Sequence, residues 1–169
     1  DKTANVIGND RARYEIIIPR SIEYEEEEFT VTVIKENSFK DSKITSIKFP
    51  TDSELKIIEK DAFSNSDLNQ IWIPSRVVEL KKRCFYDANN LRRVTIMPNN
   101  PFYKNYEKNE RIIFGKSDRK SDEFDVIVFV CKGNENIEIP SNIKEIYPFA
   151  FSKVYLNELK IIKLLITNF

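Results

Sequence analysis

The sequence predicts a mainly β fold, a solenoid of short parallel strands with one inserted β-hairpin unit. Three observations predict it. Seven residue columns recur over four copies, the copies are almost evenly spaced, and a proline closes most of them.

The columns centre on a phenylalanine. Phe39, Phe63, Phe85 and Phe151 each follow an aliphatic residue by five positions: Ile34, Ile58, Leu80 and Ile146. Three positions further back stand Val31, Leu55, Val77 and Ile143, and directly before each Phe is a small residue, Ser38, Ala62, Cys84 or Ala150. Downstream run three more columns: Ile44, Leu68, Leu91 and Leu156; Ile47, Ile71, Val94 and Leu159; Phe49, Ile73, Ile96 and Ile161. Pro50, Pro74 and Pro98 close three copies, and Pro19 and Pro140 end similar runs. Phe39, Phe63 and Phe85 lie 24 and 22 residues apart, and Phe151 follows after 66, three such periods. A period of about 20–29 residues is that of leucine-rich repeats.

Each element follows from its columns. Leu-x-x-Ile-x-Ile-Pro reads as a short strand whose alternating aliphatics enter the core while the residues between them face out. Proline ends it because a ladder needs the N–H that proline lacks. The small residue permits a tight turn, and the Phe ring fills the centre of the coil. One repeat cannot bury its own apolar face, so stability must come from stacked neighbours. Cys84 stands in the small-residue column and reads as buried packing, not as a reactive thiol. Pro19 and Pro50 are 31 residues apart, and the acidic segment 21–30 between them reads as a variant loop.

These columns resemble the BspA-like leucine-rich repeat family, through LKIIEKDAFSNSDLNQIWIP (55–74), VVELKKRCFYDANNLRRVTIMP (77–98) and IKEIYPFAFSKVYLNELKII (143–162). The resemblance extends over roughly residues 30–162. It also covers the irregular unit 99–140, which opens on Asn100-Pro101-Phe102-Tyr103 and returns through Ile139-Pro140. Within it, strands Arg111–Lys116 and Asp125–Cys131 should pair as a hairpin around the polar Ser117–Glu123 loop. The expected organisation is one solenoid over 1–169, with regular repeats at about 31–98 and 141–162, cut from a longer array. The last copy has Ile162 where the others have proline and runs on as KLLITNF, either an improvised cap or the start of further repeats. The resemblance implies a surface or secreted adhesin for host or matrix molecules. An intracellular protein-binding scaffold is the alternative.

Composition narrows the chemistry. With 41% hydrophobic and 32% charged residues the chain is a folded, soluble type. Net charge is zero and no basic face is evident, which argues against nucleic acid. The sequence contains no His, which removes His-based acid/base, nucleophile and metal chemistry. None of the three glycines sits in a phosphate-cradling loop, and the two cysteines are too few for a disulfide framework. No catalytic residue, metal, cofactor or small-molecule substrate is therefore expected. The longest apolar run, Val126 to Cys131, is too short to span a bilayer, so membrane attachment would need segments outside this chain. The chain starts at Asp1, not Met, and is expected to be a fragment or processed product.

The candidate site is the open strand face. Stacked in register, the strands present Lys48, Trp72, Thr95 and Lys160 as central rungs, flanked by Ser46, Gln70, Arg93 and Glu158, with Arg92 adjacent. Solenoids bind on such faces, and Trp and Arg are favoured at binding hot spots. The partner expected there is a protein or matrix ligand. The acidic run Glu23, Glu25–Glu28 reads as a solvated loop. Asp118, Asp122, Glu123 and Asp125 lack the glycine and ligand spacing of a calcium loop. Phe102, Tyr103 and Tyr106 read as an aromatic seam beneath the irregular unit.

Overall fold

The computed structural model describes residues 2–8, 11–152 and 154–161, and for 134–136 and 155–161 it describes the backbone. The strands in chain order are β1 (Thr3–Val6), β2 (Arg13–Ile17), β3 (Ser21–Tyr24), β4 (Glu27–Ile34), β5 (Lys43–Lys48), β6 (Ile57–Ile58), β7 (Gln70–Ile73) and β8 (Glu79–Leu80). There follow β9 (Arg93–Ile96), β10 (Tyr103–Tyr106), β11 (Asn109–Gly115), β12 (Val126–Val130), β13 (Asn134–Ile139), β14 (Glu145–Ile146) and β15 (Tyr155–Ile161). No helix occurs among the described residues.

Each regular coil passes through two parallel sheets. One is β2-β5-β7-β9, the strand set that the Leu-x-x-Ile-x-Ile-Pro columns predict, with Ile47 opposite Ile71 and Ile71 opposite Val94. The other, β1-β4-β6-β8, is built on the upstream aliphatic columns: Ile34 faces Ile58 and Ile58 faces Leu80. A single strand per repeat was the expectation. The second is only two residues long in β6 and β8, too short to show a period.

The Phe turn joins the two sheets. Phe39, Phe63 and Phe85 stack with centroids 5.6 and 5.7 Å apart and rings within 13° of parallel. Backbone bonds tie the turns together, Phe39 N–H to Ala62 O and Phe63 N–H to Cys84 O at 2.8 and 2.9 Å. Asn37, Asp61 and Arg83, each directly before the small residue, have φ of 60, 53 and 71°. This left-handed conformation turns the chain inward, and Asn and Asp tolerate it well. At one end of the stack Gly8 crosses Phe39 so closely that a Cβ there would meet the Ser38 carbonyl at 2.1 Å and the ring at 2.6 Å.

The irregular unit departs from expectation in two places. Its hairpin, β11 with β12, forms as expected, but β10 adds a third antiparallel strand. The place next to Phe85 in the stack belongs to Phe129 of β12, 5.4 Å away, not to Phe151, which is half-buried in a second apolar cluster. The hairpin is covered on both faces. Ile113, Val126 and Val128 join the core of the regular coils, while Ile112, Phe114, Ile127 and Val130 join the second cluster. Burial on both faces explains why β11 and β12 read as continuous apolar runs instead of alternating.

Segment 21–30, expected as a loop, is a hairpin. β3 pairs antiparallel with the start of β4, and Glu25 and Glu26 at its tip have φ of 51 and 63°. Positive φ at both central residues is the turn that suits a two-residue hairpin, though Glu is an unusual occupant. Ile146, in a column of otherwise buried aliphatics, is exposed, because β14 is an outer neighbour of β12.

Candidate functional site

The β2-β5-β7-β9 sheet turns alternate side chains inward and outward along each strand, as strand geometry requires. Ile47, Ile71, Ile73 and Val94 are fully buried. Between them Lys48 and Trp72 are exposed and Thr95 is half-buried, with Trp72 paired opposite Thr95. In the flanking row Ser46 faces Gln70 and Gln70 faces Arg93. Trp72 keeps 37% of its surface in solvent, high for the one Trp of the chain.

A first rung was missed. β2 sets Glu15 opposite Ser46 and Ile17 opposite Lys48. Glu15 accepts bonds from Lys48 Nζ at 2.9 Å and Ser46 Oγ at 3.2 Å. The Lys48 bond holds the Glu15 carboxyl below its usual range. Ile17 stays 68% exposed beside Lys48. The run Glu15-Ile-Ile-Ile-Pro carried the signal for this rung.

At the other end the face stops at β9. β15 pairs with β13, with Glu158 opposite Asn136 and Lys160 opposite Glu138, in a separate two-stranded sheet. Those two positions are thus not rungs next to Arg93 and Thr95, and their side chains lie outside the described residues, as does the 163–169 tail.

Two side chains of the irregular unit close the sheet edges. Asn105 accepts the Ile96 N–H at 2.8 Å and donates to Val94 O at 2.7 Å, so its amide stands in for a further strand beside β9. The Tyr103 hydroxyl accepts the Leu80 N–H at 2.9 Å beside β8, and burial raises its own ionisation to about 12. The sequence pattern places Tyr103 in an aromatic seam. It is buried as expected, and it also caps an edge.

Below Asn105 the edge of β9 is not closed. An open cleft of about 760 Å³ lies there, lined by Gln70, Arg92 and Arg93 together with Asn69, Asn90, Asn109, Glu110 and Arg111. Arg92 and Arg93 both direct their backbone N–H to Asn69 O, at 3.0 and 3.4 Å. Several cations elsewhere on the regular coils are paired with carboxylates, Lys43 with Asp67 and Arg83 with Asp61 among them. Arg92 and Arg93 are exposed and make no ion pair among the described residues.

Other groups serve structure. Burial pushes the Cys84 thiol up to about 12. The Glu23–Glu28 run lies on the β3–β4 hairpin, where Lys2 pairs with Glu27. Among the described residues no group of three or more acidic or Cys side chains is placed to hold a metal ion, and no helix is long and apolar enough to cross a membrane.

The model for the BspA type leucine-rich repeat region matches in six copies, over residues 19–111 and 99–168. The chain belongs to this family. Two solved structures share the fold. A leucine-rich repeat protein from Eubacterium ventriosum is 19% identical with a TM-score of 0.59, covering 87% of this chain and 41% of its own. A leucine rich cell surface protein from Faecalibacterium prausnitzii is 17% identical with a TM-score of 0.61, covering 90% of this chain and 42% of its own. This chain therefore spans less than half the length of either. No curated protein matches the sequence.

Proposed function

We propose that this BspA-type repeat chain is a non-enzymatic binding module of a surface or secreted adhesin, and that its β5-β7-β9 face contacts a protein or matrix molecule of a host. The observation that carries the reading is Trp72, held outward between Lys48 and Thr95 on a rigid parallel sheet where packing would favour an inward ring. Rigid placement limits the entropy lost on binding, and an exposed Trp supplies a large apolar contact. The family is a protein-interaction repeat type, and the similar Faecalibacterium structure is described as a cell surface protein. Catalysis finds little support: the chain has no His, and the buried Cys84 thiol is pushed away from its reactive form. The module is taken to extend over 1–169 as one solenoid within a longer array.

Trp72→Ala tests the face. Against a panel of immobilised plasma and matrix proteins, the substitution should weaken binding by about 1–4 kcal/mol while leaving the unfolding midpoint in place. Unchanged affinity in a folded variant would remove the face from consideration. Antibody labelling of intact, unpermeabilised cells should detect the full-length protein. Labelling only after permeabilisation would instead favour an intracellular scaffold.

A further inference from the structure

We infer that the cleft at the open edge of β9 binds an acidic oligosaccharide, one bearing carboxylate or sulfate groups. The inference deepens the reading of the face as a partner surface and rests on it, because Gln70 and Arg93 belong to both.

The site arises from how the irregular unit joins the regular coils. It bonds to β9 and the residues just before it through Lys132 N–H to Leu91 O at 3.0 Å and through Asn105 to Val94 and Ile96. Between those bonds stand Arg92 and Arg93, and the wall opposite is Asn109 to Arg111, at the start of β11. β9 is the last strand of its sheet. At its outer edge two guanidinium groups without an ion pair among the described residues stand at an open cleft.

The lining selects the ligand. Guanidinium forks match the planar, paired oxygens of carboxylate and sulfate. The Gln70 amide offers donors and an acceptor, as sugar hydroxyls demand, and Asn90, whose Nδ2 donates to Asp67 at 3.5 Å, keeps its amide oxygen as an acceptor. Glu110 can only accept hydrogen bonds when ionised, so it suits a ligand that also brings hydroxyl donors and disfavours a bare polyanion. No apolar or aromatic side chain lines the cleft, so a polypeptide would find none of the anchoring pockets its hot spots need. Trp72 stands two residues along β7 from Gln70, about 6–7 Å at strand rise, where a sugar ring can stack.

The test titrates the whole chain with four probes: a heparin hexasaccharide, a hyaluronan hexasaccharide, neutral maltohexaose and an oligo-glutamate peptide. At least one acidic sugar should bind, weakening as salt rises, while maltohexaose and oligo-glutamate should not. Binding of heparin alone assigns sulfate as the recognised group, and binding of hyaluronan assigns carboxylate. R92A/R93A should reduce that affinity by at least about tenfold, since even one charge-assisted bond is worth that much. The double variant K40A/K120A, two exposed lysines outside the cleft, should leave it unchanged. Failure of both acidic sugars, equal binding of oligo-glutamate, or an unaffected R92A/R93A would each overturn the inference. If matrix-protein binding still depends on Trp72 in that case, the reading of the face survives and only the glycan assignment falls.

Discussion

Asp125 is nearly sealed, 1% exposed at the base of the β11–β12 loop. Burial resists its ionisation, but the Ser117 hydroxyl at 2.6 Å, the Ser117 N–H at 2.8 Å and Lys144 Nζ at 3.0 Å outweigh it and hold the carboxyl below its usual range. A carboxylate whose folded value is lowered stabilises the fold above its unfolded value, near 3.9, and loses that contribution as pH falls through the folded value. Asp125→Asn should therefore lower the melting temperature at neutral pH, with a gap from the parent that closes below about pH 4. A gap that persists unchanged into that acid range would mean the carboxylate's charge contributes nothing. Sequence reasoning placed Asp125 in an acidic loop cluster, since nothing in the chain spacing shows that Ser117 and Lys144 converge on it. It did find the outward residues Trp72, Gln70 and Arg93, because the period of two fixes which side of a strand a residue takes. The cleft was not legible: its opposite wall, Asn109 to Arg111, is brought there by an irregular unit that has no period to read.

The irregular unit does at the level of elements what a further coil would do, closing exposed strand edges with side chains. An open edge with unpaired N–H and C=O groups is a liability in a parallel sheet. Asn105 meets three backbone partners, Ile96 N–H, Val94 O and Glu110 O, the last two at 2.7 Å. Asn105→Leu should cost about 1–3 kcal/mol, because it strips partners from half-buried backbone groups without creating a large void. Urea unfolding checks this. A loss well under 1 kcal/mol would show that water replaces the amide at no cost. The regular strands of the Trp72 sheet were readable because their columns repeat across three coils. The partner strands β6 and β8, two residues each, and β10 were not, since so few residues carry no pattern. The β3–β4 hairpin hid for another reason: Glu25-Glu26 supplies none of the Gly or Asn that marks a two-residue turn.

At the scale of the molecule, the coils are joined by one column of rings from Phe39 to Phe129, and this column links the regular coils to the irregular unit. A solenoid gains its stability from contacts between neighbours, so a change inside the column acts on more than one coil. Phe63 is fully buried and has a ring stacked on each side. Phe63→Ala should remove both stacking contacts and leave a cavity that backbone bonds from Phe39 to Ala62 and from Phe63 to Cys84 prevent from collapsing. The expected loss is about 3–5 kcal/mol. Phe102, half-buried at the margin of the same core, should lose less on the same truncation. Hydrogen exchange then locates the damage. Amides of the coils carrying Phe39 and Phe85 should lose protection along with that of Phe63 itself, while β13, which belongs to the second cluster through Ile137 and Ile139, should change least. Loss confined to the Phe63 turn would show that the coils are coupled by their sheets and not by the aromatic column. An unchanged midpoint would show that the repeat register built on these phenylalanines is wrong.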